Sequence, residues 1–209
     1  LALEAGGPVL GAALFDGEAC VARAHERAPQ RQTEALAPLV LGLLQAQGWA
    51  PGTLQAVACG VGPGSFTGLR SSLAFGQGLA LAVPGLALIG VPTLHAWAEA
   101  FCPADSEEAC VLLDGRRGQA YRAQLRRDAS RWADVTEPAL LDLAAAQAGA
   151  RGAVLSDVGG PPGAQALDSP ALAWAVGRLA LAGDQAPYEP LYLRRSEAEI
   201  LWEKLHPKA

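Results

Sequence analysis

The sequence predicts an α/β architecture, and three observations carry the prediction. Short apolar runs of strand length alternate with longer segments of helical periodicity. Each half opens on a hairpin pattern. Leu3-Glu4 followed by Ala5–Pro8 also aligns with Leu113-Asp114 followed by Gly115–Gly118, in each case a strand ending in an acid and a tight turn leading to a second strand. This weak repeat fits two lobes of one design, and two unrelated hairpins would give the same pattern.

The elements follow in order. Leu1–Leu3 and Val9–Phe15 read as strands around the turn cluster Ala5–Pro8, with Cys20–His25 a third strand. Thr33 to Gly48 reads as a helix, because Leu36, Leu39, Val40, Leu43, Leu44 and Gln47 recur at i, i+3, i+4, i+7. Thr33 is the expected N-cap and Gly48 the expected stop, and Pro38 predicts a kink or one lost hydrogen bond. Gln55–Val61 is a strand, Gly60–Gly68 a loop, Leu69–Ala82 a helix, Ala87–Val91 a strand and Leu94–Phe101 a short helix. The polar stretch Phe101–Glu108, with Pro103, is the best boundary between lobes. Beyond it, Cys110–Leu113 and Gln119–Leu125 flank the turn Asp114–Gly118, and Ala153–Val158 is a strand leading into the loop Gly159–Gly163. Ala171–Ala182 is a helix closed by Gly183, Pro187–Leu193 is extended, and the capping box Ser196-Glu197-Ala198-Glu199 starts a last helix to about Leu205.

Composition excludes several classes. Apolar residues are 51% of the 209 and charged residues 18%, which is enough apolar matter for a core and too little charge for a disordered chain. A net charge of −5 lacks the basic surplus of a protein that grips nucleic acid alone, so any contact with nucleic acid is expected to run through a partner. The four cysteines form no CxxC. Cys20 and Cys59 read as core residues, and Cys102 with Cys110 is the one pairing to consider against a reducing cytosol. Leu79–Leu94 is the longest apolar stretch, but Pro84, Gly85, Gly90 and Pro92 interrupt it, so no membrane span is expected. No leader pattern opens the sequence, and a residue or more of the natural start is expected before Leu1.

The informative segment is Gly60-Val61-Gly62-Pro63-Gly64-Ser65-Phe66-Thr67-Gly68-Leu69-Arg70, a strand running through a glycine-rich loop into a helix. Such a loop can aim N–H groups at a phosphate. It lacks the P-loop lysine, has Ser65 where GxGxxG needs glycine, and misses the GxSxG spacing on both sides of Ser65. A tight strand-to-helix turn capped by Thr67 explains it equally well. The helix behind it has a narrow face of Leu69, Leu73, Gly76 and Ala80, with Ala74 and Gly78 nearby. Interior glycine costs a helix about 1 kcal/mol against alanine, so close packing is required there, either in the core or across a subunit interface. His25, His95 and His206 are scattered. His95 and Glu99 share a helix face, with no second histidine to complete metal spacing. Glu4 and Asp114 alone, each at a strand end, resemble carboxylates of a metal–phosphate site, and both also suit turns that satisfy local N–H groups.

These segments together resemble one family. Gly62-Pro63-Gly64-Ser65-Phe66-Thr67-Gly68-Leu69-Arg70 resembles the signature of the TsaB (YeaZ) family. Gln32-Thr33-Glu34-Ala35-Leu36-Ala37-Pro38-Leu39 resembles its HSExLLPL helix start, Val111–Tyr121 its LLDARRGEVY hairpin, and Pro190-Leu191-Tyr192-Leu193-Arg194 its PxYLR segment. The resemblance implies the two-lobed actin/hexokinase/Hsp70-like (ribonuclease H-like) fold, with residues 1–102 as N-terminal lobe and 103–209 as C-terminal lobe, the last helix (about 196–205) packing back on the first. It implies a non-catalytic scaffold in the cytoplasm that lacks the metal-binding histidines of the related catalytic subunit TsaD. The scaffold pairs with TsaD, with the ATPase TsaE joining, to transfer a threonylcarbamoyl group to an adenosine of tRNAs that read ANN codons. The pairing helices would be Thr33–Gln47 and Leu69–Ala82, through Leu36, Leu39, Val40, Leu43, Leu69, Leu73, Gly76 and Ala80. On this reading arginine at Gly76 or Ala80 abolishes pairing without unfolding the chain. No metal is implied, ATP or ADP enters only within the complex, tRNA is met only through it, and for the isolated chain the sequence leaves open a monomer or a homodimer through the same helices. Two departures stand out. Glu4-Ala5-Gly6 replaces the superfamily's Asp-led phosphate loop and its hydroxyls, and Gln32 replaces the family histidine. Both argue against independent ATP turnover. The alternative is a small ATPase or kinase of the superfamily with its own nucleotide site at Glu4, Asp114 and the Gly60–Gly68 loop. A protease acting on TsaD would need a dyad or triad, and the sequence offers none.

Overall fold

The computed structural model describes residues 1–29, 31–129, 131–158 and 171–194, together with Trp202, Leu205 and His206. Its first half holds β1 (Ala2–Glu4), β2 (Val9–Asp16), β3 (Ala19–Arg27), α1 (Gln32–Ala46), β4 (Ala56–Gly60), α2 (Phe66–Ala82), β5 (Ala87–Val91) and α3 (Thr93–Phe101). The second half holds β6 (Glu108–Arg116), β7 (Gln119–Asp128), β8 (Arg131–Asp142), α4 (Leu143–Ala148), β9 (Ala153–Ser156) and α5 (Ala171–Ala182). The first sheet has the order β3-β2-β1-β4-β5, antiparallel from β3 to β1 and parallel from β1 to β5. The second repeats that design as β8-β7-β6-β9, with β6 and β9 parallel. The paired acid-and-turn pattern therefore marks a structural repeat, with β1 and β6 as equivalent central strands.

Alternation along the strands sorts the core into layers. Leu3, Leu10, Leu14, Val57 and Cys59 face α1 and α2, where Leu36, Val40, Leu43, Leu44 and Leu73 complete one cluster. The opposite face of the same sheet, Ala2, Ala13 and Ala58, joins α5 in a second cluster. That cluster continues through Leu94, Ala96, Trp97 and Ala98 of α3 to Val111, Leu113 and Leu125 of the second sheet. Cys110, Leu112 and Ala120 on the far side of that sheet pack against Ala146 of α4.

The helices between the sheets are exchanged. α5, from the second half of the chain, lies on the first sheet, where Ala173 sits so close to Gly11 that a Cβ there would be 3.1 Å away, and Gly177 so close to Phe15 that a Cβ would be 2.1 Å from its ring. α3, from the first half, lies against the second sheet and packs on α5. The chain segment 171–182 thus belongs spatially with the first sheet, not with the second as a boundary at 102/103 would place it. The expected last helix and its capping box, and the loop Gly159–Gly163, lie outside the described residues.

Several boundaries differ for local reasons. α1 begins at Gln32, not Thr33, and its N-cap Arg31 makes no side-chain cap bond. Thr33 instead shares a 2.7 Å hydrogen bond with Ser71 of α2. Gly48 stops the helix as expected, with φ +67°. β8 went unseen because it is an edge strand, exposed along much of its length and interrupted by Pro138, so it carries no alternating apolar signal. Pro187–Leu193 forms no strand but a strap, tied to the first sheet by Ala186 N–H to the Gly90 carbonyl (2.8 Å) and Leu191 N–H to the Val61 carbonyl (2.7 Å). All four cysteines are free thiols, with Cys110 buried on the α4 side and Cys102 at the end of α3.

Candidate functional site: the signature loop and the face of α1 and α2

β4 delivers the chain into the glycine-rich loop, and each glycine there admits a close neighbour of the protein itself. A Cβ at Gly60 would lie 1.8 Å from Glu4 Oε2, one at Gly64 2.7 Å from the Gly6 carbonyl oxygen, and one at Gly68 1.8 Å from the Ala5 carbonyl oxygen. Gly62 has φ +109° and precedes a cis proline, Pro63. Ser65 donates its N–H to the Gly6 carbonyl at 2.7 Å. The loop is therefore packed on the Ala5–Gly6 turn, and the space in which a phosphate would meet Gly64 and Gly68 is filled by backbone. α2 begins at Phe66 rather than Leu69, and its cap is Ser65, whose Oγ accepts the Gly68 N–H at 3.3 Å. Thr67, expected as cap, is exposed in the first turn, its carbonyl taken by Ser71 Oγ at 2.8 Å. Because a backbone carbonyl cannot yield as a side chain does, Gly68→Ala is expected to destabilise the protein by about 2 kcal/mol. Chemical denaturation would read this, and an unchanged midpoint would show that the loop can move off Ala5–Gly6.

Glu4 and Asp114 are each engaged by the turn of their own hairpin. Glu4 is buried and accepts the Gly6 N–H (2.6 Å) and the Thr93 hydroxyl (3.1 Å), and burial raises its pKa. Thr93 in turn accepts the Gly62 N–H at 3.0 Å, so Glu4 ties β1 to the loop and to the start of α3. Asp114 accepts the Arg116 N–H at 2.7 Å and gives its own N–H to Asp157 at 2.6 Å. Burial, with the Asp114 charge adding to it, pushes the Asp157 carboxyl up to about 6. Among the described residues no group of three or more histidines, cysteines or acids is placed to hold a metal ion. The nucleotide site implied by the superfamily does not fit these residues: Ala5 and Gly6 bring no hydroxyl, and the glycines of the loop are in contact with the chain's own backbone. Gln32 is buried, reaching the Gly7 carbonyl through Nε2 at 3.3 Å.

The expected pairing residues lie on the sheet side of α1 and α2. Leu36, Val40, Leu43, Leu69, Leu73 and Gly76 are buried in this chain's own fold, and Leu39 and Ala80 pack half-buried on the same core. The helical periodicity that singled them out reports the face turned toward the sheet. Gly76 is glycine for an internal reason: a Cβ there would lie 2.0 Å from the Tyr188 hydroxyl. That hydroxyl donates to the Leu73 carbonyl at 3.2 Å and lies 3.1 Å from Cys59 Sγ, whose thiol burial pushes up to about 12. The strap residue Tyr188 gave no sequence signal, because its partners are far away in the chain. Gly78, by contrast, faces open space.

What α1 and α2 leave outside is a different face. Thr33, Phe66, Thr67, Arg70, Ser71 and Ala74 line an open groove of about 350 Å³. Phe66 is exposed, with the Arg70 guanidinium 4.7 Å from its ring centre and the Tyr192 ring stacked on it at 5.0 Å. Leu41 of α1 and Leu81 of α2 are also exposed, Leu81 to 90%. Phe66, Thr67 and Arg70 belong to the signature, so this part of the groove was legible as motif though not as surface. No helix among the described residues is long and apolar enough to cross a membrane.

Comparison with known proteins places this geometry. The family model described as "TsaD: tRNA N6-adenosine threonylcarbamoyltransferase" matches residues 25–157. The tRNA threonylcarbamoyladenosine biosynthesis protein TsaB of Escherichia coli (strain K12) is 36% identical over 104 residues, 49% of this chain and 45% of that protein. The chain thus spans less than half the length of that relative. An uncharacterized protein of Mycobacterium tuberculosis (strain ATCC 25618 / H37Rv) is 31% identical over 187 residues, covering 86% of this chain and 80% of its own length. The solved structure of YeaZ from Pseudomonas aeruginosa superposes with a TM-score of 0.71 at 21% identity, over 91% of this chain and 97% of the other, and it shows the shared two-lobed fold. The chain belongs to the TsaB (YeaZ) family, among the proteins that the TsaD family model describes.

Proposed function

We propose that this chain is the non-catalytic partner subunit of TsaD in threonylcarbamoyladenosine modification of ANN-decoding tRNAs, pairing through the exposed groove of α1 and α2. The observation that carries the reading is the placement of the signature residues Phe66, Thr67 and Arg70. They are not consumed by the core but line an open groove together with Thr33, Ser71 and Ala74. An aromatic–arginine ladder beside small residues is the composition of a protein interface, where Tyr, Phe and Arg are enriched and small residues let helices approach. The chain works in the cytoplasm, with TsaE joining the pair, ATP or ADP entering only within the complex, and tRNA met only there. In the absence of TsaD the same face serves a homodimer.

The alternative of a superfamily ATPase or kinase has less behind it. Its first carboxylate, Glu4, is buried and engaged by Gly6 and Thr93, and its loop is packed on Ala5–Gly6. ATP hydrolysis by the isolated chain that vanished in Asp114→Asn would reinstate it.

The direct experiment is light scattering after size exclusion on the chain alone and mixed with TsaD from the same organism. A mixed peak at heterodimer mass is the expected result. A chain that ignored TsaD at micromolar concentration would remove the basis for the pairing.

A further inference from the structure

Resting on that reading, we infer that the strap from Asp184 to Arg194 is a conformational link between the pairing groove and the second sheet: a partner seated on Phe66 and Tyr192 steadies the β6–β7 turn. The strap is bonded to both halves of the molecule. At its start, Asp184 accepts the Trp132 N–H of β8 at 3.3 Å and lies 3.0 Å from His95 Nδ1 of α3. Ala186 N–H then donates to the Gly90 carbonyl of β5, and Leu191 N–H to the Val61 carbonyl at the start of the signature loop. At its end, one guanidinium nitrogen of Arg194 shares its hydrogens among the Gly115 carbonyl, the Arg116 carbonyl at 3.3 Å and Gln119 Oε1 at 2.7 Å, all at the β6–β7 turn. Between these points, three glycines of three different elements make room for the strap. A Cβ at Gly62 would lie 3.1 Å from the Leu191 carbonyl oxygen, one at Gly76 2.0 Å from the Tyr188 hydroxyl, and one at Gly90 2.5 Å from the Pro187 carbonyl oxygen. Pro187 and Pro190 each fix one backbone angle within it.

Both ends of this link are built to respond. On the groove side, Tyr192 stacks on Phe66 at 5.0 Å and stays 44% exposed, with Leu191 beside it at 37%, so a partner that covers Phe66 also meets the strap. On the far side, the turn has little tolerance of its own. Its φ is +60° at Arg116, +57° at Arg117 and +76° at Gly118, three successive left-handed residues of which two carry side chains. Such a backbone persists only where its surroundings hold it. Arg194 supplies part of that hold through the carbonyls of Gly115 and Arg116, and Asp114 another part by accepting the Arg116 N–H at 2.7 Å. Restricting the strap at Tyr192 restricts Arg194 two residues on, and with it the turn, with no displacement of either lobe required.

The test is hydrogen exchange over the segment Asp114–Ala120, in the chain alone and in its complex with TsaD from the same organism. Pairing should slow exchange there by about threefold or more in the wild type. Arg194→Gln cuts the far end of the strap and leaves the groove untouched. Its heterodimer should form with a Kd within about threefold of the wild-type value, since cutting the link removes from pairing only what pairing gives to the turn. The slowing should disappear. Tyr192→Ala cuts the near end, and its turn should exchange alike in the paired and the free chain. It carries the test alone if the melting temperature shows that Arg194→Gln does not fold. A wild-type heterodimer whose turn exchanges as in the free chain would overturn the link and leave the pairing reading standing. Slowing that survives in either folded variant would mean that the partner touches the turn directly, and would overturn the link as well. A wild-type chain that never joins TsaD would bring down the underlying reading and this inference with it.

Discussion

His95→Gln is expected to destabilise the protein by about 3–5 kcal/mol at neutral pH and to remove most of the pH dependence of its stability between neutral and alkaline conditions. His95 is 5% exposed on α3, between the two sheets. Its Nδ1 lies 3.1 and 3.0 Å from the two oxygens of Asp184, which follows α5, and its Nε2 faces Asp134 of β8 at 3.3 Å, near enough to pair and out of line for a hydrogen bond. Asp184 also accepts the Trp132 N–H at 3.3 Å, while the Trp132 indole donates to Glu99 at 3.3 Å beneath the Arg127 guanidinium. Only the imidazolium offers a proton to both carboxylates. Burial opposes the charge, but the two carboxylates, Asp134 and Asp184, together outweigh it and raise the His95 pKa to about 9 from 6.5.

The sign follows from linkage. A group whose folded pKa lies above its unfolded value contributes fully below the unfolded value and loses that contribution as pH rises through the folded one. A rise of this size corresponds to about 3 kcal/mol. Stability of the wild type should therefore fall between pH 6.5 and about 9, while the variant runs flatter across that window. Urea midpoints at a series of pH values would read both slopes. Parallel slopes would mean that the histidine is not the titrating latch. Because Asp184 and Asp134 bring α3 of one half against elements of the other, the same substitution should loosen the exchange of helices that joins the lobes.

The parts of this fold that could be read from sequence are those governed by local pattern. The extents of β5 and α5 and the stop at Gly48 needed only apolar runs and one glycine with a left-handed backbone. The acid-and-turn repeat at Leu3-Glu4 and Leu113-Asp114 revealed the duplicated sheet because it sits on the two equivalent central strands. What stayed hidden depends on distant partners. His95 shares a helix face with Glu99, yet its ion-pair partners lie far away in the chain, Asp184 at a separation of 89 residues. Glu4, at a strand end, suited both a site carboxylate and a turn residue satisfying local N–H groups; the Gly6 N–H bears out the turn role, and only the distant Thr93 hydroxyl was hidden. Periodicity on α1 and α2 found the apolar stripe, but it cannot say whether a stripe meets the chain's own sheet or another subunit. Here the sheet takes it.

That distinction sets the second large prediction. Ala74→Arg should abolish pairing with TsaD while leaving the fold within about 0.5 kcal/mol of wild type, since Ala74 is exposed on the groove and its replacement points into solvent in the free chain. Gly76→Arg, two residues on, should instead prevent folding, because even a Cβ would meet the Tyr188 hydroxyl at 2.0 Å. A test at Gly76 would therefore confuse loss of the partner with loss of the protein. Phe66→Ala is the milder probe. It removes an exposed ring stacked between Arg70 and Tyr192 and should weaken pairing by at least about 2 kcal/mol, roughly thirtyfold in Kd, if that ring anchors the interface. Thermal unfolding and light scattering on the three variants separate the cases. Pairing that survived both Ala74→Arg and Phe66→Ala would clear the groove of any role and turn attention to exposed apolar positions elsewhere on the same helices, with Leu81 the first to test.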